Sequence, residues 1–554
     1  MPDLRLTGTS LRLIRHLTAF PPLRAALWAA TKGDFRIDAL RALPASARLP
    51  LDATNHPVAG RAPHTWEDAG HAPSPHDGEG PATVATLHTA YRDAHTTPSE
   101  VLSALLNASS TALGHTAHSP FVAVDEARAR ADADASTQRF RDGAPLGPLD
   151  GVPVPVKDEV HIRGLPTAGG TAYLTAPATE DAWVVQRLRA AGAIVFAKTA
   201  CTEWGMNPVG INAHTPMPRN PWKPDHAAGG SSTGSAVAVA MGLAPVALGS
   251  DGGGSIRIPA ALCGVFGLKP TWVRIGRTGD TWGPGTMPHL GPLGASPADL
   301  VSFLTATAGV DPHDPATRMA PDAHDVAAAW RAALGRGVRG ARIGVDDALW
   351  ADVDPDVARI AMAAVDALVA DGAVKVSVSL PLAAHAPGIG ALTIASESSA
   401  NLSDDFAAHG TAFGDELALI LRIMGALPAR DLLGAARTRA ALRRQVASCF
   451  ASDVDLLALP STATTAPRYP RTEHLQDVLW TSATSAMTRT AFLGNLTGLP
   501  AGTAPVGLHQ GLPVGLQLIG DAWDEASVLA GLAQVERIGL SAIGAPQGRY
   551  SILG

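Results

Sequence analysis

Residues 229–259 constrain this chain more than any other segment, because the same unusual composition occurs at both of its ends. The segment reads GGSSTGSAVAVAMGLAPVALGSDGGGSIRIP, with one serine–glycine cluster around Ser231 and another around Ser255. The small apolar residues between the clusters predict a helix over 232–242 and a buried strand over 246–249. Hydroxyls set twice among glycines indicate that backbone and hydroxyls come close to a bound group.

A glycine triplet stands directly before Ser255 and consists of Gly252, Gly253 and Gly254. The N–H groups of such a turn can converge on an oxyanion, and each such donor is worth about 10²–10³ in rate. Side chains there would crowd a substrate and forbid positive φ angles. The competing interpretation is a phosphate-binding loop, but the P-loop pattern G-x-x-x-x-G-K-[ST] is absent.

A serine nucleophile needs a base, and Lys157 is the best candidate because no histidine lies near Ser255 in sequence. Residues 151–156 predict a buried strand that would carry the ammonium into the interior, where burial disfavours the charged form. Ser231 could then pass a proton from Ser255 to Lys157. The residues alone leave open a simpler alternative, in which Lys157 and Asp158 form a buried structural turn.

A second hydrolase motif is present at residues 230–234, where GSSTG matches G-x-S-x-G and would make Ser232 the nucleophile. That motif requires an apolar strand directly before it. The preceding residues DHAAGG are not a strand, so we reject Ser232 as the nucleophile.

The chain beyond residue 84 reads as a single α/β domain, because predicted strands alternate with predicted helices. We expect a large mixed, mostly parallel twisted sheet covered by helices on both faces. Helices are predicted over 85–95, 99–107, 182–191, 355–370, 415–424 and 431–450. Further strands are predicted over 193–197, 374–378, 454–459 and 511–520.

Two segments precede this catalytic domain of residues 84–554. Residues 1–54 contain LRLIRHLTAFPPLRAALWAATK, which predicts two amphipathic helices broken at Pro21 and Pro22. These helices could pack on the main domain, cover a substrate mouth or contact a membrane surface. Residues 55–83 are rich in Pro, Gly and His with little apolar content, which predicts a linker. Their histidines lack metal-ligand spacing.

Composition excludes several classes of protein. The net charge of −7 and the absence of a basic stripe argue against nucleic-acid binding. Three distant cysteines, Cys201, Cys263 and Cys449, predict buried structural thiols rather than disulfides or a metal site. No apolar run is long enough to span a membrane and no secretory signal is evident, so we expect a cytoplasmic protein.

At this point the motifs resemble one known family, the amidase signature hydrolases. Residues 229–271 resemble its signature at nearly every position, and GPLDGVPVPVKD at 147–158 is similar to its lysine motif. Residues 197–222, 455–462 and 496–520 resemble further family motifs. The resemblance covers about residues 84 to 540 and implies the amidase signature fold.

The resemblance implies a Ser–cis-Ser–Lys triad, with Ser255 as nucleophile, Ser231 as bridging serine and Lys157 as base. The spacing of 24 residues between the two serines matches the family. A cis peptide is then expected between Gly230 and Ser231. The N–H groups of the glycine triplet and of Ser255 would form the oxyanion hole.

Comparison with the family's pattern adds two points about residues near Ser255. Asp251 and Arg257 are expected to form a structural ion pair, and Ser250 replaces the commoner threonine.

The alternative within the family is the glutaminase subunit of a tRNA-dependent amidotransferase, which usually has glutamine where this chain has Ile258. A non-catalytic scaffold is a third alternative, disfavoured because every triad residue is present.

We therefore predict acyl transfer on a small-molecule amide, with ester or carbamate cleavage as further options. No metal or organic cofactor is implied, and the enzyme is expected to be a monomer or a homodimer. A hydrophobic or aryl-accepting pocket is predicted around four apolar side chains near the motifs, although each could instead be core: Trp204, Met206, Trp282 and Met287.

Overall fold

The structure is a computed structural model, and it describes residues 5–18, 20–31, 35–44, 47–48, 57–60, 81–111, 119–282, 285–469 and 477–553. Its helices are α1 (Gly8–Leu17), α2 (Pro21–Thr31), α3 (Ile37–Ala42), α4 (Val84–Arg92), α5 (Pro98–Thr111), α6 (Glu126–Arg141), α7 (Trp183–Ala190), α8 (Thr233–Ala240), α9 (Arg257–Cys263), α10 (Pro297–Thr307), α11 (Ala323–Arg336), α12 (Asp347–Trp350), α13 (Pro355–Ala370), α14 (Ala386–Asn401), α15 (Ser403–His409), α16 (Asp415–Met424), α17 (Ala429–Ala451), α18 (Thr481–Thr488), α19 (Phe492–Thr497) and α20 (Glu525–Arg537).

The strands are β1 (Arg5–Thr7), β2 (Phe121–Val124), β3 (Val156–Lys157), β4 (Ala197–Thr199), β5 (Val246–Asp251), β6 (Phe266–Lys269), β7 (His289–Gly294), β8 (Arg342–Val345), β9 (Val374–Ser377), β10 (Leu456–Pro460), β11 (Val478–Trp480), β12 (Ala501–His509) and β13 (Leu512–Gly520). Eleven of these form one sheet in the order β2-β4-β3-β5-β7-β6-β12-β13-β10-β8-β9. The strands β1 and β11 form a separate two-stranded sheet.

The mixed sheet with its covering helices is confirmed, but parallel pairings are not the majority. Among the described strands, β3–β4, β3–β5, β8–β10 and β8–β9 are parallel. The other six pairings of the described large sheet are antiparallel, as is β1–β11. Part of the reason is local: β12 and β13 are joined through Gln510 and Gly511, both at positive φ. A two-residue hairpin of this kind can only pair its strands antiparallel.

The predicted elements agree with the structure except near the lysine and at the neighbouring strand, which was predicted over 193–197 and is Ala197–Thr199. The helices predicted over 355–370 and 415–424 have those bounds in the structure. Of the strand predicted over 151–156, only Val156 joins a ladder, with Lys157, while Pro153 makes an isolated bridge. Pro153 and Pro155 carry no N–H to donate, which interrupts the ladder, although Val152 and Val154 still bond to Ile194.

The N-terminal helices pack against the main domain. Leu11 of α1 is buried with Leu419 and Ile423 of α16. Arg15 anchors the same contact by donating hydrogen bonds to the carbonyls of Phe413 and Gly410 and pairing with Asp415. Contact of residues 1–54 with a membrane surface stays a prediction, and most of the predicted linker lies outside the described residues. Within the described ranges, no helix is long and apolar enough to cross a membrane.

The centre of the large sheet positions the motifs found in the sequence. β3 lies between β4 and β5, so Lys157 at its end faces the end of β5. The helix α8 packs on β5 and is buried at every residue, which its small side chains permit. Ser231 precedes α8, and Ser255 lies between β5 and α9. The strand ends therefore gather the lysine and both serine clusters.

Candidate active site

Lys157 is fully buried and lies at hydrogen-bond distance from three oxygens. Its Nζ is 2.6 Å from Ser231 Oγ, 2.7 Å from Ser250 Oγ and 2.9 Å from Glu159 Oε2. Ser250 Oγ in turn donates to Glu159 Oε2 at 2.6 Å. The lysine is thus connected to the bridging serine, as predicted from the resemblance, and also to a carboxylate that the sequence analysis did not single out.

The peptide between Gly230 and Ser231 is cis, which confirms the expectation for the bridging serine. The N–H of Ser232 donates to the carbonyl of Ser255 at 3.2 Å, so the two serine loops lie side by side. Ser232 Oγ itself donates to the Ser250 carbonyl and accepts from the Ser250 N–H. The hydroxyl of Ser232 is therefore bonded to backbone within the protein interior.

The glycine triplet forms a turn directly before Ser255. Gly254 has φ 116°, and a Cβ there would lie 2.6 Å from side-chain atoms of Ala491 and Ile258, so only glycine fits. The N–H of Gly254 donates to Asp251 Oδ1 at 2.7 Å, which differs from its predicted place among the oxyanion donors. Among the described residues, the N–H groups of Gly252 and Gly253 have no such partner.

Asp251 and Arg257 form the predicted ion pair at 2.9 Å, and both are fully buried. Burial favours a higher pKa for Asp251, but the guanidinium of Arg257, with Lys269 and Asn495, brings it below the ordinary value. Asp251 also accepts from the N–H groups of Gly254 and Ile256. The ion pair therefore fixes the backbone on both sides of Ser255.

Ser255 opens into a large apolar cavity of about 980 Å³, counting the space at its mouth. The cavity is lined mainly by apolar side chains, as small-molecule sites are. Besides Ser255 and Gly253, its walls come from helices α14, α16, α18 and α19 and from the N-terminal segment; the lining residues include Phe35, Ile394, Glu416, Ile423, Thr484 and Phe492.

Of the four predicted pocket residues, Met206 lines this cavity. Trp204 packs in a cluster with Phe413 and Leu417. Trp282 faces Gly205, where a Cβ would lie 2.9 Å from its Nε1, and Met287 is fully buried in the main core. The structure thus places these four side chains in different surroundings around the site.

Among the described residues that line the cavity, Glu416 alone carries a carboxyl group. Burial raises its pKa well above the ordinary value, and the nearby Asp477 raises it further, against a hydrogen bond from Asn207 at 2.7 Å. The pKa of Asp477 is itself raised to about 6, mainly by burial. The raised pKa favours the neutral acid form of Glu416 in the cavity.

The cysteines are free thiols, with Cys201 and Cys263 buried and Cys449 partly buried. Burial raises the pKa of each thiol, which keeps all three protonated at neutral pH. Within the part of the chain that the structure describes, no group of three or more His, Cys, Asp or Glu is placed to hold a metal ion.

Sequence reasoning missed residues that contribute to the site from distant segments. Asn495 and Gln517 accept hydrogen bonds from Arg257, and Asn495 also donates to Asp251. Glu159 pairs with Lys157, and Glu416 lines the cavity. Only Glu159 had an available signal, since it is two residues beyond the lysine on the same buried run.

Comparison with known proteins gives one consistent family. The Amidase family profile matches residues 100–529. The chain is 36% identical over 427 residues to the A component of the glutamyl-tRNA(Gln) amidotransferase of Chloroflexus aurantiacus, covering 72% of this chain and 85% of that protein. It is 33% identical over 443 residues to a fatty acid amide hydrolase of Medicago truncatula, covering 76% of this chain and 70% of that one.

Solved structures agree with the sequence comparison. A bacterial aryl acylamidase of the amidase signature family superposes with a TM-score of 0.73 at 25% identity, over 83% of this chain and 97% of that structure.

Proposed function

The chain belongs to the amidase signature family, and on that premise we propose that it is a serine hydrolase that cleaves the C–N bond of small amides with an apolar acyl or aryl group. The observation that carries the proposal is the 2.6 Å contact between buried Lys157 and Ser231, beside a Ser255 that opens into an apolar cavity. The related fatty acid amide hydrolase and aryl acylamidase support an apolar substrate.

The proposed reaction uses Ser255, Ser231 and Lys157 in that order. Ser255 Oγ attacks the carbonyl carbon while its proton passes through Ser231 toward Lys157. The oxyanion accepts hydrogen bonds from the N–H groups of Gly252, Gly253 and Ser255. As the tetrahedral intermediate collapses, the proton returns through Ser231 to the leaving amine. Water then attacks the acyl-enzyme by the same path and releases the acid.

The walls of the cavity determine which acyl groups fit. Phe35 belongs to the N-terminal segment and lines the cavity, while α1 packs behind α16. We infer that residues 1–54 complete the substrate mouth, so their removal should impair activity on long acyl amides more than on acetamides. Equal kcat/KM ratios for both classes before and after removal would contradict this role.

The test of the proposal is active-site labelling with a fluorophosphonate probe, followed by kinetics on amides graded by acyl length. Ser255→Ala should abolish labelling and lower kcat by at least about 10⁴, because the nucleophile is lost. Ser232→Ala is the matched control, since it removes the neighbouring hydroxyl, and it should still be labelled. Labelling that persists in Ser255→Ala, or wild-type protein that is never labelled, would overturn the proposal.

The second candidate is the glutaminase activity of a tRNA-dependent amidotransferase, favoured by the 36% identity to the amidotransferase component. Ile258 argues against it, because this side chain is fully buried against the Gly254 turn and offers glutamine no polar contact. Ammonia release from glutamine that exceeds hydrolysis of every apolar amide would favour this second function.

A further inference from the structure

The contacts of Lys157 match a protonated amine. An ammonium has three N–H donors and no lone pair. Nζ has three oxygen neighbours within 2.9 Å, which are Ser231 Oγ, Ser250 Oγ and Glu159 Oε2. A lysine that donates to all three cannot accept a proton from Ser231 until one of its own protons has left.

Glu159 is the one anion among these three acceptors. Its side chain is only 1% exposed, and within the described residues its Oε1 has no hydrogen-bond donor. That oxygen lies beside Gly205, where a Cβ would come within 3.2 Å of Oε1, Trp282 Nε1 and Ser231 Oγ. A buried carboxylate oxygen without a donor is costly to the fold, and it leaves Glu159 with unused acceptor capacity beside the lysine.

The buried charges around Lys157 and Glu159 cancel when these two residues share one transferable proton. Beside Lys157 and Glu159 lies a second buried pair, Lys198 and Asp158, at 3.2 Å. Cys201 also faces Glu159, and burial together with the two carboxylates raises the pKa of its thiol well above the ordinary value, so it stays neutral. The loops over the site carry two further acids with partners of their own, Glu203 with His214 and Asp280 with Arg277.

We propose that Glu159 is the terminal proton acceptor of the relay and that Lys157 passes the proton to it. In the acylation step Nζ gives one proton to Glu159 Oε2 and takes one from Ser231, which takes the proton of Ser255. The Ser255 Oγ–C bond forms, and the carbonyl π pair becomes the oxyanion. The buried cluster gains one positive charge as the oxyanion gains one negative charge.

The same path runs backward when the intermediate collapses. Glu159 returns its proton to Nζ, Lys157 returns one to Ser231, and Ser231 protonates the leaving nitrogen as the C–N bond breaks. No oxidant, metal or further reactant is needed. Glu159 acts through Lys157 and is therefore a positioning and proton-holding residue rather than one that touches substrate. This inference rests on the proposed function.

The test is the pH profile of kcat/KM for Glu159→Gln in the full-length protein. Glutamine keeps the shape but cannot take the proton, so Lys157 must first lose a proton to solvent. We expect the pH of half-maximal activity on the acid side to rise by about one unit or more. Activity at alkaline pH should stay within about tenfold of wild type, because a neutral lysine is then available.

Two further variants keep the test decisive. Glu203→Gln removes a nearby carboxyl that does not touch Lys157, and its profile should match wild type. If Glu159→Gln does not fold, Glu159→Asp withdraws the carboxylate by one methylene and should move the profile in the same direction by less. A Glu159 variant with an unmoved profile, whether or not kcat falls, would overturn the proposal. Fluorophosphonate labelling of Ser255 in wild type separates that result from a failure of the proposed function.

Discussion

Two buried ion pairs lie on either side of the candidate nucleophile, and they differ in how completely they are hydrogen-bonded. Arg257 uses all five of its N–H groups, on Asp251, Asn495, Gln517 and the Ala491 carbonyl. Lys157 and Glu159 are equally buried and have the same 2.9 Å separation, yet Glu159 Oε1 has no donor among the described residues.

The difference shows that a buried ion pair can serve as a scaffold or as a place to hold a proton. A proton cannot move within the Asp251–Arg257 pair, because arginine does not deprotonate in proteins. Its five donors instead fix the turn that carries Ser255. Lysine and glutamate both exchange protons, and an unsatisfied oxygen beside the relay favours that exchange. Whether the cation is arginine or lysine therefore decides whether the pair serves as a scaffold or holds a proton.

The largest effect on stability is expected from Arg257→Met. It leaves Asp251 buried without a cation and removes donors from Asn495 and Gln517, so the free energy of unfolding should fall by about 3–5 kcal/mol. Urea unfolding measures this. The control is Asp366→Asn in the exposed pair with Lys375, which should cost less than about 1 kcal/mol. Equal losses in the two variants would remove the distinction between scaffold and surface pair.

A smaller loss of stability is expected when Lys157 is replaced, and a second substitution should restore most of it. Lys157→Met leaves Glu159 buried without its cation, whereas Lys157→Met combined with Glu159→Leu removes both charged groups and should regain most of the lost unfolding free energy. Both proteins should be inactive. The corresponding double change of Asp251 and Arg257 should regain little, because the side-chain oxygens of Asn495 and Gln517 still lack the donors that Arg257 supplied. Similar recovery in the two double variants would contradict the comparison.

The smallest effect is expected at Glu416, a buried carboxyl that has no cation partner among the described residues. Its raised pKa favours the neutral acid, and as the pH rises through that pKa a charge appears in the apolar cavity. The KM for apolar amides should then increase severalfold toward alkaline pH, whereas Glu416→Gln should have a flat KM. A wild-type KM that is constant or decreases with pH would contradict this interpretation of the cavity.

The sequence predicted the local elements well, because their signals are local. Residues 355–370 alternate apolar and polar residues at helical spacing, and the helix has those bounds in the structure. The serine and lysine motifs were also found, since their spacing and glycine content stand out. The share of parallel pairings in the sheet was overestimated. Strand direction depends on connections such as the hairpin at Gln510, and the positions of predicted strands do not show how they are connected.

The walls of the cavity were predicted less well than the catalytic motifs. Ile394 and Phe492 line it from helices whose sequences read only as apolar packing. Met287, selected because it follows the signature, is instead fully buried in the core. An apolar side chain has no sequence mark that separates a cavity wall from a packed interior, because the same chemistry serves both.

By itself, the sequence determined the chemistry available to this protein: a serine after three glycines, a bridging serine and a lysine at the end of an apolar run. Only the tertiary structure decided how those groups are connected, placing Glu159 against Lys157 and engaging the Gly254 N–H with Asp251. The reason is that proton transfer and hydrogen bonding depend on separations of about 3 Å. For contacts such as Lys157 with Ser231 and Arg257 with Gln517, the packing of distant segments sets those separations.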